Sequence, residues 1–317
     1  MAQSSTEVEQ VLHSLPPNDA RDDQLETLEQ MLAKVLADQE DPASATSPPA
    51  ASPPVDVLCL CLQRRDVQAR PQLLQVLLRA VKVLARRQGV RQSCSARGIH
   101  TLLGFMGQPS AALATEATNA LLNLCYEGQN VAHLLAAKGE AALLGLLARP
   151  PGTESSAEAV ALQTVAAAAL QTVSFQADGR TALVRAGAVA ALLSCLSTAE
   201  EGRLQQRLVG SLQNLTAQGA AVQQIRQQGG IPTLTRVLAL SGSEGCLAAA
   251  AGALQNISRE DESRAAIGEM PGVLPRLITL LASSNTQVRR PEAPAAEACS
   301  SGRADGAGLR LGSAFSA

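Results

Sequence analysis

The chain has 317 residues, 46% of them hydrophobic but only 1% aromatic, and no Trp; 26 bases against 28 acids leave a net charge of −2. Its core must therefore be built from Leu, Ala and Val, which favours closely packed helices over a β-sandwich. With one Tyr and three Phe there are too few stacking platforms for single strands, so composition disfavours nucleic-acid binding.

The N-terminal segment, residues 1–40, is acidic: residues 1–54 hold ten acids and two bases. Residues 5–38 read as one or two helices, EVEQVLHSL and then DDQLETLEQMLAKVLA, the second with Leu25, Leu28, Leu32, Val35 and Leu36 on one stripe. Residues 41–54, DPASATSPPAASPP, form a linker whose prolines cannot hold a helix. The reading is an acidic head tethered to the remainder of the chain but not continuous with it. Its start lacks the basic residues and apolar core of a secretory signal, and no uninterrupted apolar stretch is long enough to span a bilayer.

From residue 55 to 290 the chain repeats itself. VKVLARR, NALLNLCYEG, AALQTVSFQADG, GSLQNLTAQG and GALQNISRED align at Lys82, Asn123, Thr172, Asn214 and Asn256, in steps of 41, 49, 42 and 42 residues. Each unit reads as a short helix ending near a Gly, a second apolar helix and a longer amphipathic third helix. The glycines are Gly98, Gly139, Gly187, Gly229–Gly230 and Gly272. A Gly there allows a sharp turn between helices packed at a steep angle. The 49-residue step is assigned to a loop insertion between Arg149 and Val160. Five units result, the first lacking its short helix. Such a period means one supersecondary unit stacked on itself, an open solenoid rather than a globule around a single pocket.

The seven cysteines (Cys59, Cys61, Cys94, Cys125, Cys195, Cys246, Cys299) have no CxxC spacing and several fall within apolar helical runs. An odd count without a framework is expected of reduced thiols, hence a cytoplasmic address, with the nucleus as an alternative or addition. After GVLPRLITLLASSNTQVRR the expected third helix gives way to residues 291–317, a Pro/Gly/Ser/Ala tail expected to be disordered. The helix at 273–282 is thereby left without its cover. The expectation is of a truncated or alternatively spliced form of a longer array.

These units resemble armadillo repeats: three helices in about 42 residues, a Gly after the short helix, and an A-L-x-N-[LI] core in the third. The resemblance spans residues 55–284 and rests on repetition rather than on one motif. It implies an all-α, right-handed armadillo-type solenoid whose third helices line a concave groove, with asparagine amides donating to and accepting from the backbone of a bound extended peptide. By position the candidates are Asn123, Asn214 and Asn256, with Thr172 and Lys82 as departures; bridging between repeats is their other role. Where the importin-α type of armadillo protein carries Trp, this chain has Asn119, Ala168, Gly210 and Gly252, so classical nuclear-signal binding is not expected.

Residues 64–97 hold nine Lys or Arg against the single acid Asp66, and Arg79, Lys82 and Arg86 share one helical face. That face would suit an acidic partner, and the chain's own head is one candidate, as a lid over the first repeat. The function expected is that of a non-enzymatic adaptor or scaffold holding a protein partner, an extended or acidic segment, along its groove. Regulation of a small GTPase is the alternative, since the units also resemble the Trp-free armadillo repeats of GDP-dissociation stimulators; nucleic-acid binding through the basic first repeat is a third. His13, His100 and His133 are isolated, no P-loop, GxSxG or Rossmann fingerprint occurs, and no catalytic residue, cofactor or metal site is expected.

Overall fold

The computed structural model describes residues 8, 10–12, 14–16, 18–40, 55–148, 156–200 and 202–281, and all its regular structure there is helical. The tail 291–317, the linker 41–54 and most of the first expected helix lie outside the described residues. Helix α1 is Asp22–Glu40; the array begins with α2 (Val55–Leu62), the single turn α3 (Arg65–Gln68) and α4 (Pro71–Leu84). Four full triplets and parts come next in the same order of short, second and third helix. They are α5 (Gln88–Gln92), α6 (Ala96–Met106) and α7 (Ala111–Leu124), then α8 (Gly128–Ala136), α9 (Gly139–Leu147) and α10 (Ser156–Val173). Next come α11 (Ala177–Arg185), α12 (Ala188–Thr198) and α13 (Arg203–Leu215), then α14 (Gly219–Gln227), α15 (Gly230–Leu240) and α16 (Glu244–Ile257). The described chain closes with α17 (Asp261–Glu269) and α18 (Val273–Leu281).

The third helices α4, α7, α10, α13 and α16 stack each on the next, and the second helices α2, α6, α9, α12, α15 and α18 do the same behind them. Every repeat buries its apolar stripe against its neighbours, so one core of Leu, Ala and Val runs the length of the array. Ser110 and Ser243 accept from the backbone N–H of Leu113 and Cys246 and start two of the third helices. The other ends are closed by side chains from the short helices. Arg91 donates to the Ala85 and Arg86 carbonyls, Asn130 to Leu124, Arg180 to Ser174 and Phe175, and Arg264 to Ser258. No single described helix is long and apolar enough to cross a bilayer. The apolar pair α11 and α12 bends by 79° between them.

Three expectations are corrected. First, the head is not detached: α1 packs on α4, and Leu25, Leu28, Leu32, Val35 and Leu36 all join the common core. An apolar stripe of five side chains is more stable against other apolar surface than in water, and α4 supplies that surface. Second, the insertion between the second and third helices of the third repeat is not all loop. Helix α10 has 18 residues where α7 has 14, because Ala-rich sequence propagates the helix backwards. Third, the turn glycine divides its work between two positions. Gly229 takes φ +72°, while at Gly230 a Cβ would lie 2.5 Å from Ile225 Cγ2. In the unit ending at Gly139 the left-handed residue is Lys138, φ 58°, and Gly139 is needed only for closeness, with Leu134 Cγ 2.6 Å from a would-be Cβ.

At the far end, α18 leaves Leu274 (53%) and Ile278 (66%) exposed one turn apart, so among the described residues nothing covers this face.

Candidate protein-binding groove

The inner wall is the surface of the third helices turned away from the second-helix layer. Taking the aligned asparagine as reference, its positions lie eight, four and one residues before it and three after. For α7 these are Thr115, Asn119 and Leu122, with Tyr126 just past the helix end; for α13 they are Gln206, Gly210 and Gln213, with Ala217 just past the end, and of these Gly210 is buried. Asn119 is half-buried on this wall.

The asparagines mark the seam between repeats. Asn214 is 5% exposed, and its Nδ2 donates to Ser174 Oγ at 2.9 Å and to the Gln171 carbonyl at 3.3 Å, both on the preceding repeat. Asn256, 7% exposed, donates to Thr216 Oγ1 at 3.1 Å, and half-buried Asn123 donates to the Lys82 carbonyl at 2.8 Å. Thr172 is buried and returns its hydroxyl proton to the Ala168 carbonyl of its own helix. Burial next to a fixed acceptor is the geometry of the bridging role, since a groove ligand needs open donors. Of these four, Asn123 is the one with appreciable exposure.

The basic trio divides. Arg79 and Arg86 are exposed, whereas Lys82 is half-buried with Nζ 2.7 Å from Glu116 Oε2 on the next third helix. The remaining local charges are also organised: Arg64 holds Asp66 through two bonds, of 3.0 and 2.6 Å, and Arg91 approaches Glu127 at 3.7 Å. Burial by itself would raise the Asp66 carboxyl; the bonds from Arg64 and from the Ala20 and Val67 N–H groups outweigh it and hold the pKa below the ordinary range.

What lines the wall instead is a set of long amides, the two arginines Arg207 and Arg259, and two rings. Gln171 reaches across α13, where a Cβ on Gly210 would fall 2.3 Å from its Nε2, and its Oε1 accepts from Arg207 Nη1 at 3.1 Å. Gln206 reaches in the same way over Gly245 on α16. Burial lowers the Arg207 pKa from its usual value, nearby Tyr126 opposing and Arg203 adding to the effect. Tyr126 (57% exposed) and half-buried Phe175 occupy the same position on successive third helices, and the Arg91 guanidinium lies 6.0 Å from the Tyr126 ring centre. The 49 residues between these rings equal the step between Asn123 and Thr172, so the repeat register itself could have found them. Gln171, Gln213 and Gln255 recur one residue before the reference position, a second pattern open to the same reading.

The wall offers amide donors and acceptors, guanidinium groups and two aromatic rings. Among the described residues no three His, Cys, Asp or Glu side chains gather as a metal site. A stacked array of three-helix units with such an inner wall is an armadillo-type helical solenoid.

The comparisons agree on that class. The family model for the armadillo/beta-catenin-like repeat matches residues 220–259. A designed armadillo repeat protein, YIII(Dq)4CqI, superposes with a TM-score of 0.64 at 23% identity, over 76% of this chain and 98% of its own. Another designed armadillo repeat protein, solved in complex with the peptide (KR)4, gives 0.61 at 23% identity over 73% and 93%. An engineered protein from a structural genomics consortium covers 91% of this chain and 72% of its own at 20% identity, with a TM-score of 0.63. At these identities the likeness is one of fold. No curated protein sequence matches the chain.

Proposed function

We propose that the protein is a binding scaffold that holds an extended segment of another protein along the inner wall of α7, α10, α13 and α16. The observation that carries this is the line of exposed and half-buried side chains along that wall: Tyr126 and Phe175 as an apolar shelf, Gln171 and Gln213 as amides of the kind that pair with a peptide backbone, and Arg207, bonded to Gln171, among them. An amide offers a donor and an acceptor together, so a ladder of glutamines suits main chain irrespective of sequence. The charged members, Arg207 and Arg259, are basic, so the segment is neutral to acidic. The designed relative in complex with (KR)4 holds a basic peptide, the opposite of the preference proposed for this chain. Six buried free thiols fit a reducing compartment, and a cytoplasmic or nuclear location is part of the same proposal.

Fluorescence anisotropy with two labelled peptides, one alternating Glu and Ser and one (KR)4, tests the reading. The acidic peptide should bind with a salt-dependent affinity that R207Q lowers about tenfold, in the range for a lost charged contact. Tighter binding of (KR)4, or an R207Q affinity equal to that of the parent, refutes the proposed preference.

A further inference from the structure

Helix α4 departs from the other third helices in a way that identifies a second site. Its residues at the four inner-wall positions are Leu74, Leu78, Val81 and Ala85, and all are buried. At the equivalent positions α7 exposes Tyr126, and α16 exposes Gln255 and Arg259. The opposite pattern holds on the flank of α4 that faces away from the array: Gln72, Gln75, Arg79 and Arg86 are exposed. A helix that simply continued the stack would cover that flank. Helix α1 packs chiefly on α4, so it lies on the inner wall of the first repeat, in the trough rather than across its end.

The contact has two parts. Leu25, Leu28, Leu32, Val35 and Leu36, spaced i, i+3, i+7, i+10 and i+11, supply an apolar stripe. Polar bonds fix the approach to it: Arg64 Nη2 donates to the Pro16 carbonyl at 2.7 Å, the Ala20 N–H to Asp66 Oδ2 at 2.9 Å, and the Arg65 N–H to Asn18 Oδ1 at 3.0 Å. Arg70 pairs with Asp22 in the first turn of α1. The outer face of α1 carries Asp23 and Glu26 to solvent.

We infer that the inner wall of the first repeat is a receptor site for an amphipathic helix, that α1 fills it in cis, and that its external ligand is a helix of the same chemistry. Such a ligand has a Leu/Val stripe at the spacing of α1 and an acidic first turn to meet Arg70. While α1 is bound, the open groove begins at the second repeat. A ligand helix that displaces α1 lengthens that groove by one repeat and frees residues 1–54 for other contacts. The inference stands apart from the extended-segment reading, because the two sites occupy different repeats and different ligand conformations.

The test uses the full chain with Leu28→Asp and Leu32→Asp, two substitutions at fully buried stripe positions, and a fluorescein-labelled synthetic peptide of residues 16–40. Anisotropy should show saturable binding of the peptide to this variant and at least about tenfold weaker binding to the parent chain, where tethered α1 competes at high effective concentration. The same peptide carrying both Asp substitutions should not bind. Saturable binding to the variant with circular dichroism of the array unchanged supports the inference; no binding to such a folded variant overturns it. If the variant unfolds, a parent chain with a protease site inserted between Asp41 and Pro54 takes its place. After cleavage, the labelled peptide should exchange with the released head while the array stays folded. A head that cannot be exchanged, or an array that melts once the head leaves, overturns the inference by making α1 an obligatory part of the core.

Discussion

Asn214→Ala separates the two roles that the sequence allows its repeat asparagine. The side chain is 5% exposed and its Nδ2 gives one bond of 2.9 Å to Ser174 Oγ and a longer one of 3.3 Å to the Gln171 carbonyl. A net hydrogen bond is worth about 0.5–1.5 kcal/mol, and an acceptor left buried without its donor costs more. The Gln171 carbonyl keeps a second donor, Ser174 Oγ at 2.6 Å, which moderates the loss on that side. The sum is about 1.5 kcal/mol for the seam between the third and fourth repeats. In a chain of this size that corresponds to a fall in Tm of about 2–3 °C. Thermal and urea unfolding followed by circular dichroism would measure it. Asn123→Ala, at a half-buried site with one bond of 2.8 Å, should cost about 1 kcal/mol or less. If Asn214→Ala melts within about 1 °C of the parent while losing affinity for an acidic peptide, the seam argument is wrong and the residue is a ligand contact.

Other outcomes rest on the same structure. Gly230→Ala should destabilise by about 1–3 kcal/mol, because the new Cβ meets Ile225 Cγ2 at 2.5 Å and the Ile225 carbonyl at 2.9 Å. Gly145→Ala, with nothing within 4 Å of the added atom inside α9, should instead stabilise by about 0.5–1 kcal/mol in the same melts. Asp66 has a pKa below its ordinary value in the folded chain, so its contribution is complete above the ordinary carboxylate range and fades as pH falls through the lowered value. The protection of the α1 amides, with exchange corrected for its intrinsic pH dependence, should therefore fall on acidification below about pH 4, and Asp66→Asn should remove that dependence; an unchanged profile in the variant refutes it. Burial raises the thiols of Cys61, Cys94 and Cys125 to about 12 and those of Cys59 and Cys195 above their ordinary value. Ellman's reagent at neutral pH should find the six described cysteines only once urea opens the array, and their rapid reaction in the native chain would contradict the burial.

Periodicity sufficed for the architecture. A stripe that recurs about every 42 residues can be buried only by copies of itself, so the three-helix unit, the turn near Gly229 and the open wall were all legible in a single line of sequence. The same pattern located the third helices but not which of their faces would be dry. Asn214 and a groove residue such as Gln213 are adjacent in sequence, about 100° apart around the helix, and only the stacked neighbour determines which one it covers. The tertiary structure likewise decided where the head packs. Its five-residue stripe was plain in the sequence, yet Leu74, Leu78 and Val81 of α4 lie about fifty residues away, beyond a proline-rich linker. Apolar burial is non-directional, so a stripe specifies that it will be covered without specifying by what; that choice belongs to the folded array.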